Sequence, residues 1–454
     1  MNVSFFSDLL STISERGRNL IERRELRPPG EEKAGSVIGL AEQLLSRRGE
    51  ASGAAIASEI LRAYAALTSG PKIAVFEALA DRFGADPKRL EAALEAYRAA
   101  PSETTAQELH GASEPRRQEL FRRLNLAPGG TQGLVSLRAD LLAAMARRSD
   151  LKVVDRDLEH LLSSWFNRGF LVLRRIDWTT SAHILEKIIR YEAVHEISDW
   201  DDLRRRIEPA DRRCFAFFHP ALVDEPLIFV EVALTGEIPN AIAPILAKTR
   251  KPISPREANT AVFYSISNCQ TGLAGVSFGN FLIKQVVEDL CRELPNLKSF
   301  VTLSPVPGFA AWLDRERAEE EPQALTAEDR EALKGLDSPG WHEDPARAEA
   351  LRKPLIAAAA YYFLRAKTPS GRPIDSVARF HLGNGARLER INFLGDVSSK
   401  GLRQSKSLMV NYLYDLDTIE KNHEAFANLG LVTASNPVTK ALRQDLPSRA
   451  LAPT

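Results

Sequence analysis

Up to about residue 165 the apolar residues of this chain recur with a helical period, and near Gly169 they switch to short β-branched and aromatic runs. No single regular architecture serves both patterns, so the switch divides the chain. In ADPKRLEAALEAY, Asp86 is placed to cap a helix with Pro87 in its first position, and Leu90, Ala93, Leu94 and Tyr97 form one stripe. Leu137, Leu141, Leu142 and Met145 form a second stripe, and Leu158, Leu161, Leu162 and Trp165 a third. Pro101, Pro115 and Ala127-Pro-Gly-Gly130 mark the connections. Residues 1–150 read as a helical bundle and 151–454 as a second domain that begins between about 150 and 170.

In that second part FLVLRRI, RRCFAFFHP, PLIFVEVAL and AVFYSISN predict strands, with HPALVDEP as the loop of a hairpin. GLAGVSFGNFLIK then leads into a helix with Leu282, Val286, Val287 and Leu290 on one side, and LKSFVTLS predicts the next strand. RERAEEEPQALTAEDREAL reads as an acidic, solvated helical stretch and PLIAAAAYYFLRA as a buried helix. The fold class is α+β: an all-helical bundle, then a mixed sheet flanked by helices.

The chain's 454 residues exceed one ordinary core, and 60 Lys plus Arg balance 60 Asp plus Glu. No global field would draw it to nucleic acid or an anionic membrane. Cys214, Cys269 and Cys291 lack disulfide or zinc spacing, which suits a reducing compartment. No apolar run of about 18 residues is present to span a bilayer. Asp8, Glu15 and Arg16 interrupt the start before a signal-peptide core forms. A cytosolic protein is expected.

Two readings of the glycine loop stay open. Amides gathered between a strand and a helix N-terminus can cradle a pyrophosphate, but the glycines could equally serve a tight structural turn. The loop fits neither G-x-x-x-x-G-K-[ST] nor G-x-G-x-x-G with its acidic partner. Ala274-Gly275-Val276-Ser277-Phe278-Gly279 resembles the [QR]-x-x-G-x-[GA] coenzyme A loop of the GNAT superfamily, with Ala274 in place of Gln or Arg and Ser277 in place of Gly. FYSIS, GLAGVSFGNFLIKQVV, LSPVPGF and FHLGNGA, in this order, together with RRCFAFFHPALVDEPLIFVEVALTGEIP, resemble the malonyl-CoA decarboxylase family over about residues 150–415. The helical region resembles it more loosely.

The resemblance implies a GNAT-like catalytic domain that converts malonyl-CoA to acetyl-CoA and CO2. It implies Ser304 and His381 as catalytic residues, His381 as proton donor and Ser304 positioning or activating the malonyl group, in the family's notation as proton acceptor. Backbone amides of Ala274, Gly275, Val276, Ser277, Phe278, Gly279 and Asn280 would hold the pyrophosphate. No cofactor is implied beyond the coenzyme A of the substrate, and the helical domain would assemble a homotetramer. Read alone, Ser304 before Pro305 could simply end a strand, and His381 beside Phe380, in a Gly-Asn-Gly loop, could be an interior histidine.

The chemistry suits these residue types. Loss of CO2 leaves an enolate that needs hydrogen-bond donors at the thioester oxygen and a proton on carbon. The thioester is itself the electron sink, and a neutral or weakly perturbed histidine can supply the proton near pH 7. An acyltransferase of the same fold, or an inactive acyl-CoA-binding scaffold, are the other readings. His195 and His219 read as structural.

Overall fold

A computed structural model describes residues 34–46, 50–276 and 282–443. Its first part is helical: α1 (Ala34–Ser46), α2 (Glu50–Ala65), α3 (Ser69–Asp81), α4 (Pro87–Ala99), α5 (Glu103–Ser113), α6 (Arg116–Asn125), α7 (Gly130–Met145) and α8 (Lys152–Trp165). The expected punctuation is where the helices stop and start. The Asp86 side chain accepts from the amides of Lys88 and Arg89 at the head of α4, and Gly129, at φ 69°, turns the chain into α7. Phe121, Leu134, Leu141, Leu158 and Leu162 are fully buried and form the centre of this unit. The α4 stripe is different: none of its residues is buried, and α4 packs on α5 as an outer pair.

By compactness the helical unit takes the chain as far as Val172 and adds Phe218–Leu227 and Cys269–Phe278. In it α8 packs on α3, α6 and α7 through its leucine face.

The second unit is built on an eight-stranded sheet: β1 (Val172–Ile176), β2 (Arg212–Phe218), β3 (Pro226–Thr235), β4 (Thr260–Asn268), β5 (Ser299–Thr302), β6 (Ser304–Pro305), β7 (Arg387–Asn392) and β8 (Met409–Leu413). The order is β1-β2-β3-β4-β5-β8-β6, with β7 also on β8. β2 is buried along its whole length and β3 nearly so, as a sheet covered on both faces requires. β3 and β4 are antiparallel, whereas β4 and β5 are parallel and register only from Thr260↔Ser299 to Phe263↔Thr302. Beyond that point β4 continues against β3 while β5 gives way to β6. Ala233, Val262, Tyr264, Val301, Leu303 and Met409 pack together beneath this parting.

Helices α9 (Ala182–Tyr191), α10 (Trp200–Ile207), α11 (Leu282–Glu293), α12 (Phe309–Ala318), α13 (Ala327–Leu333), α14 (Pro345–Leu364), α15 (Ser376–Gly383), α16 (Ser399–Ser405), α17 (Ile419–Leu429) and α18 (Asn436–Ala441) accompany the sheet. The acidic stretch is not one helix, since Glu319–Glu321 and Pro322 lie between α12 and α13. The apolar stretch expected as a buried helix is the second half of α14, where Leu355 and Ala357–Ala360 are buried. Among the described residues no helix is long and apolar enough to cross a membrane.

Candidate active site

His381 sits in the last turn of α15, not in a loop as its Gly-Asn-Gly neighbourhood suggests. Asp375 caps that helix by accepting from the Ala378 amide at 2.7 Å, and the Tyr362 hydroxyl donates to the same carboxylate at 3.1 Å. Gly385, at φ 83°, lets the chain leave the helix for β7. A Cβ there would lie 2.1 Å from the Ile419 carbonyl oxygen, so only glycine fits.

Ser304 is held on β6 opposite Val410 of β8. Its Oγ lies 3.1 Å from His381 Nε2, and the two side chains are buried, at 6% and 3% exposure. On the far side of the ring the Tyr414 hydroxyl lies 2.8 Å from Nδ1. The Tyr412 ring stacks on the imidazole, with centroids 4.6 Å apart and planes at 26°. The Ser304 hydroxyl donates to Thr302 Oγ1 at 2.9 Å, and that oxygen also accepts from the Tyr412 amide at 3.1 Å.

Burial pushes His381 down to about 3, so the imidazole is neutral at neutral pH. The expected neutral histidine is present, but its perturbation is large, not weak. Burial also pushes the Tyr412 and Tyr414 phenols well above their usual range, and both keep their protons. Thr302, Tyr412 and Tyr414 escaped the reading of the sequence. The available signal was positional: Thr302 lies two residues before Ser304, on the same face of an extended segment, and NYLY places polar groups in an otherwise apolar strand.

The glycine loop is partly described. Within the helical unit, Arg138 Nη1 donates to the carbonyls of Gly272 at 3.0 Å and Ala274 at 2.8 Å, while its Nε pairs with Asp155 at 2.8 Å. A Cβ on Gly272 would lie 1.9 Å from the Val135 carbonyl oxygen, so this glycine permits close approach to α7. The amides of Ala274 and Val276 close turns onto Thr271 and Leu273, at 3.1 and 3.0 Å. Those two amides are therefore engaged in turns. Gly275 takes φ 81°. Ser277, Phe278, Gly279 and Asn280 lie outside the described residues.

His219 is held by the Trp165 carbonyl at Nε2 and the Ala221 amide at Nδ1, both 3.1 Å away, a structural arrangement. Burial pushes His195 down to about 4. Among the described residues the three cysteines form no disulfide, and no group of three or more His, Cys, Asp or Glu side chains is arranged to hold a metal ion.

A helical region followed by a mixed sheet whose central parallel pair parts, with a buried Ser–His pair beside it, defines a GNAT-like α+β enzyme. Two family models cover most of the chain: the malonyl-CoA decarboxylase C-terminal domain matches residues 169–452 and the N-terminal domain residues 83–166. The chain is 60% identical to the malonyl-CoA decarboxylase of Rhodopseudomonas palustris, whose crystal structure superposes with a TM-score of 0.89 over 90% of this chain and 100% of that one. For the malonyl-CoA decarboxylase of Agrobacterium vitis the values are 59%, 0.86, 90% and 100%. The mitochondrial malonyl-CoA decarboxylase of Anser anser anser is 35% identical over 422 residues, 85% of this chain and 83% of that protein. The chain belongs to the malonyl-CoA decarboxylase family, and its class is that of the carboxy-lyases.

Proposed function

We propose that the chain converts malonyl-CoA to acetyl-CoA and CO2, with His381 as proton donor and Ser304 as the hydroxyl that orients the malonyl group. The 3.1 Å contact between these two buried side chains carries the reading. The bond between the malonyl carboxylate and the α-carbon breaks, and its electron pair enters the thioester as an enolate. CO2 departs, and the α-carbon takes a proton from the imidazole, which regains one from solvent as acetyl-CoA leaves. A neutral imidazole N–H is a weak acid, but the enolate carbon is a strong base, and a dry site favours transfer to it over hydration of the intermediate charge.

Backbone amides of the loop between Ala274 and Asn280 would receive the pyrophosphate. The reaction draws on no resident cofactor, the helical region assembles a homotetramer, and the protein works in the cytosol. CO2 release from malonyl-CoA, with no second substrate and after exhaustive dialysis against chelator, tests the decarboxylation and the independence of a cofactor. His381→Asn should lower kcat by about 10²–10⁴-fold with the fold intact. Native-rate turnover by that variant, or consumption only with an acyl acceptor present, would sink the reading. Fractionation of cells making the full chain tests the compartment, and recovery in an organelle would refute it.

A further inference from the structure

Ser304 has one hydroxyl proton, and Thr302 Oγ1 takes it at 2.9 Å. What Ser304 turns toward His381 Nε2, 3.1 Å away, is therefore a lone pair. Two lone pairs at that distance in a buried site would repel, so Nε2 carries hydrogen. A neutral imidazole has a single N–H, which leaves Nδ1 as acceptor, and the Tyr414 hydroxyl at 2.8 Å donates to it. The hydrogen bonds run in one direction, Tyr414 to His381 to Ser304 to Thr302.

Resting on the decarboxylation reading above, we propose that Thr302 is a positioning residue: until the malonyl group arrives to claim the Ser304 hydroxyl, its oxygen draws the Ser304 proton away from the imidazole and so holds His381 as the Nε2–H tautomer, with the transferable proton on the Ser304 side. The sheet places Thr302 for this. It is wholly buried at the end of β5, its Oγ1 is also pinned by the Tyr412 amide at 3.1 Å, and its carbonyl accepts from Asn411 Nδ2 at 2.8 Å. The other tautomer would turn the Ser304 proton to Nε2 and make the Tyr414 oxygen an acceptor.

Neutron diffraction from the deuterated full chain reads the arrangement directly. Deuterium on Nε2, on Tyr414 Oη, and on Ser304 Oγ directed at Thr302 supports the proposal; deuterium on Nδ1 with a bare Nε2 overturns it. In solution, Thr302→Val should lower kcat for CO2 release about tenfold, the size of one lost hydrogen bond, with KM nearly unchanged. Thr302→Ser should restore it. A folded Thr302→Val chain with native kcat would also overturn the proposal, and if that variant does not fold the neutron map of the native chain still decides. A native chain that releases no CO2 from malonyl-CoA defeats the decarboxylation reading alone, while the map continues to test the tautomer.

Discussion

At the scale of the residue, His381 links the candidate site to stability. The unfolded chain's histidine titrates near 6.5, and the buried one only near 3. Between those values the unfolded state binds a proton that the folded state refuses, so the contribution is fully present above pH 6.5 and is lost as pH falls toward 3. The slope is up to about 1.4 kcal/mol per pH unit for one group. His195 and His219, also pushed down by burial, act in the same direction. Replacing His381 with Gln should remove one proton's worth of that slope in urea midpoints taken from pH 7 to pH 4; equal slopes in both chains would contradict the buried neutral imidazole. Ser304 and His381 were candidates from their motifs, LSPVPGF and FHLGNGA. Their partners were not, because Tyr414 and Thr302 lie 33 residues after His381 and two before Ser304, and only sheet pairing brings all four together.

At the scale of the element, Arg138 of α7 and Gly385 after α15 are the informative positions. Arg138 is a buried cation that satisfies Asp155 and two loop carbonyls at once. Arg138→Met should cost about 3–5 kcal/mol, since Asp155 would be left a largely buried charge without its partner. It should also raise the KM for malonyl-CoA by loosening the segment that precedes the proposed cradle, and calorimetry with steady-state kinetics checks both. Unchanged thermal stability would refute the account. Gly385→Ala meets the Ile419 carbonyl and a left-handed backbone together, so a loss of at least about 2 kcal/mol is expected by denaturant titration, with a fall in kcat as α15 shifts. Helix boundaries followed from Asp86, Pro101 and Pro115, whose effects are local. The helical setting of His381 did not, because the Asp375 cap and the exit at Gly385 outweigh the turn character of Gly-Asn-Gly.

At the scale of the whole molecule, the proposed homotetramer is the property to measure. Light scattering of the full chain at micromolar concentration should give four times the mass of one chain, and a monomeric mass with full activity would remove assembly from the proposal. The two-part organisation was readable from the change of apolar period, and the α+β class from the strands and helices after it. By compactness the first unit runs to Val172, since α8 has a leucine stripe that is helical in either assignment and packs on α3, α6 and α7.

The sequence by itself determined what is written in local pattern and residue type: the helical period and its switch, the caps, the order of the motifs, and the presence of a serine and a histidine suited to an enolate. Only the tertiary structure decided their surroundings. The neutrality of His381, the hydrogen bonds to Thr302 and Tyr414, and the turn engagement of the Ala274 and Val276 amides depend on desolvation and distance, and these are properties of neighbours in space.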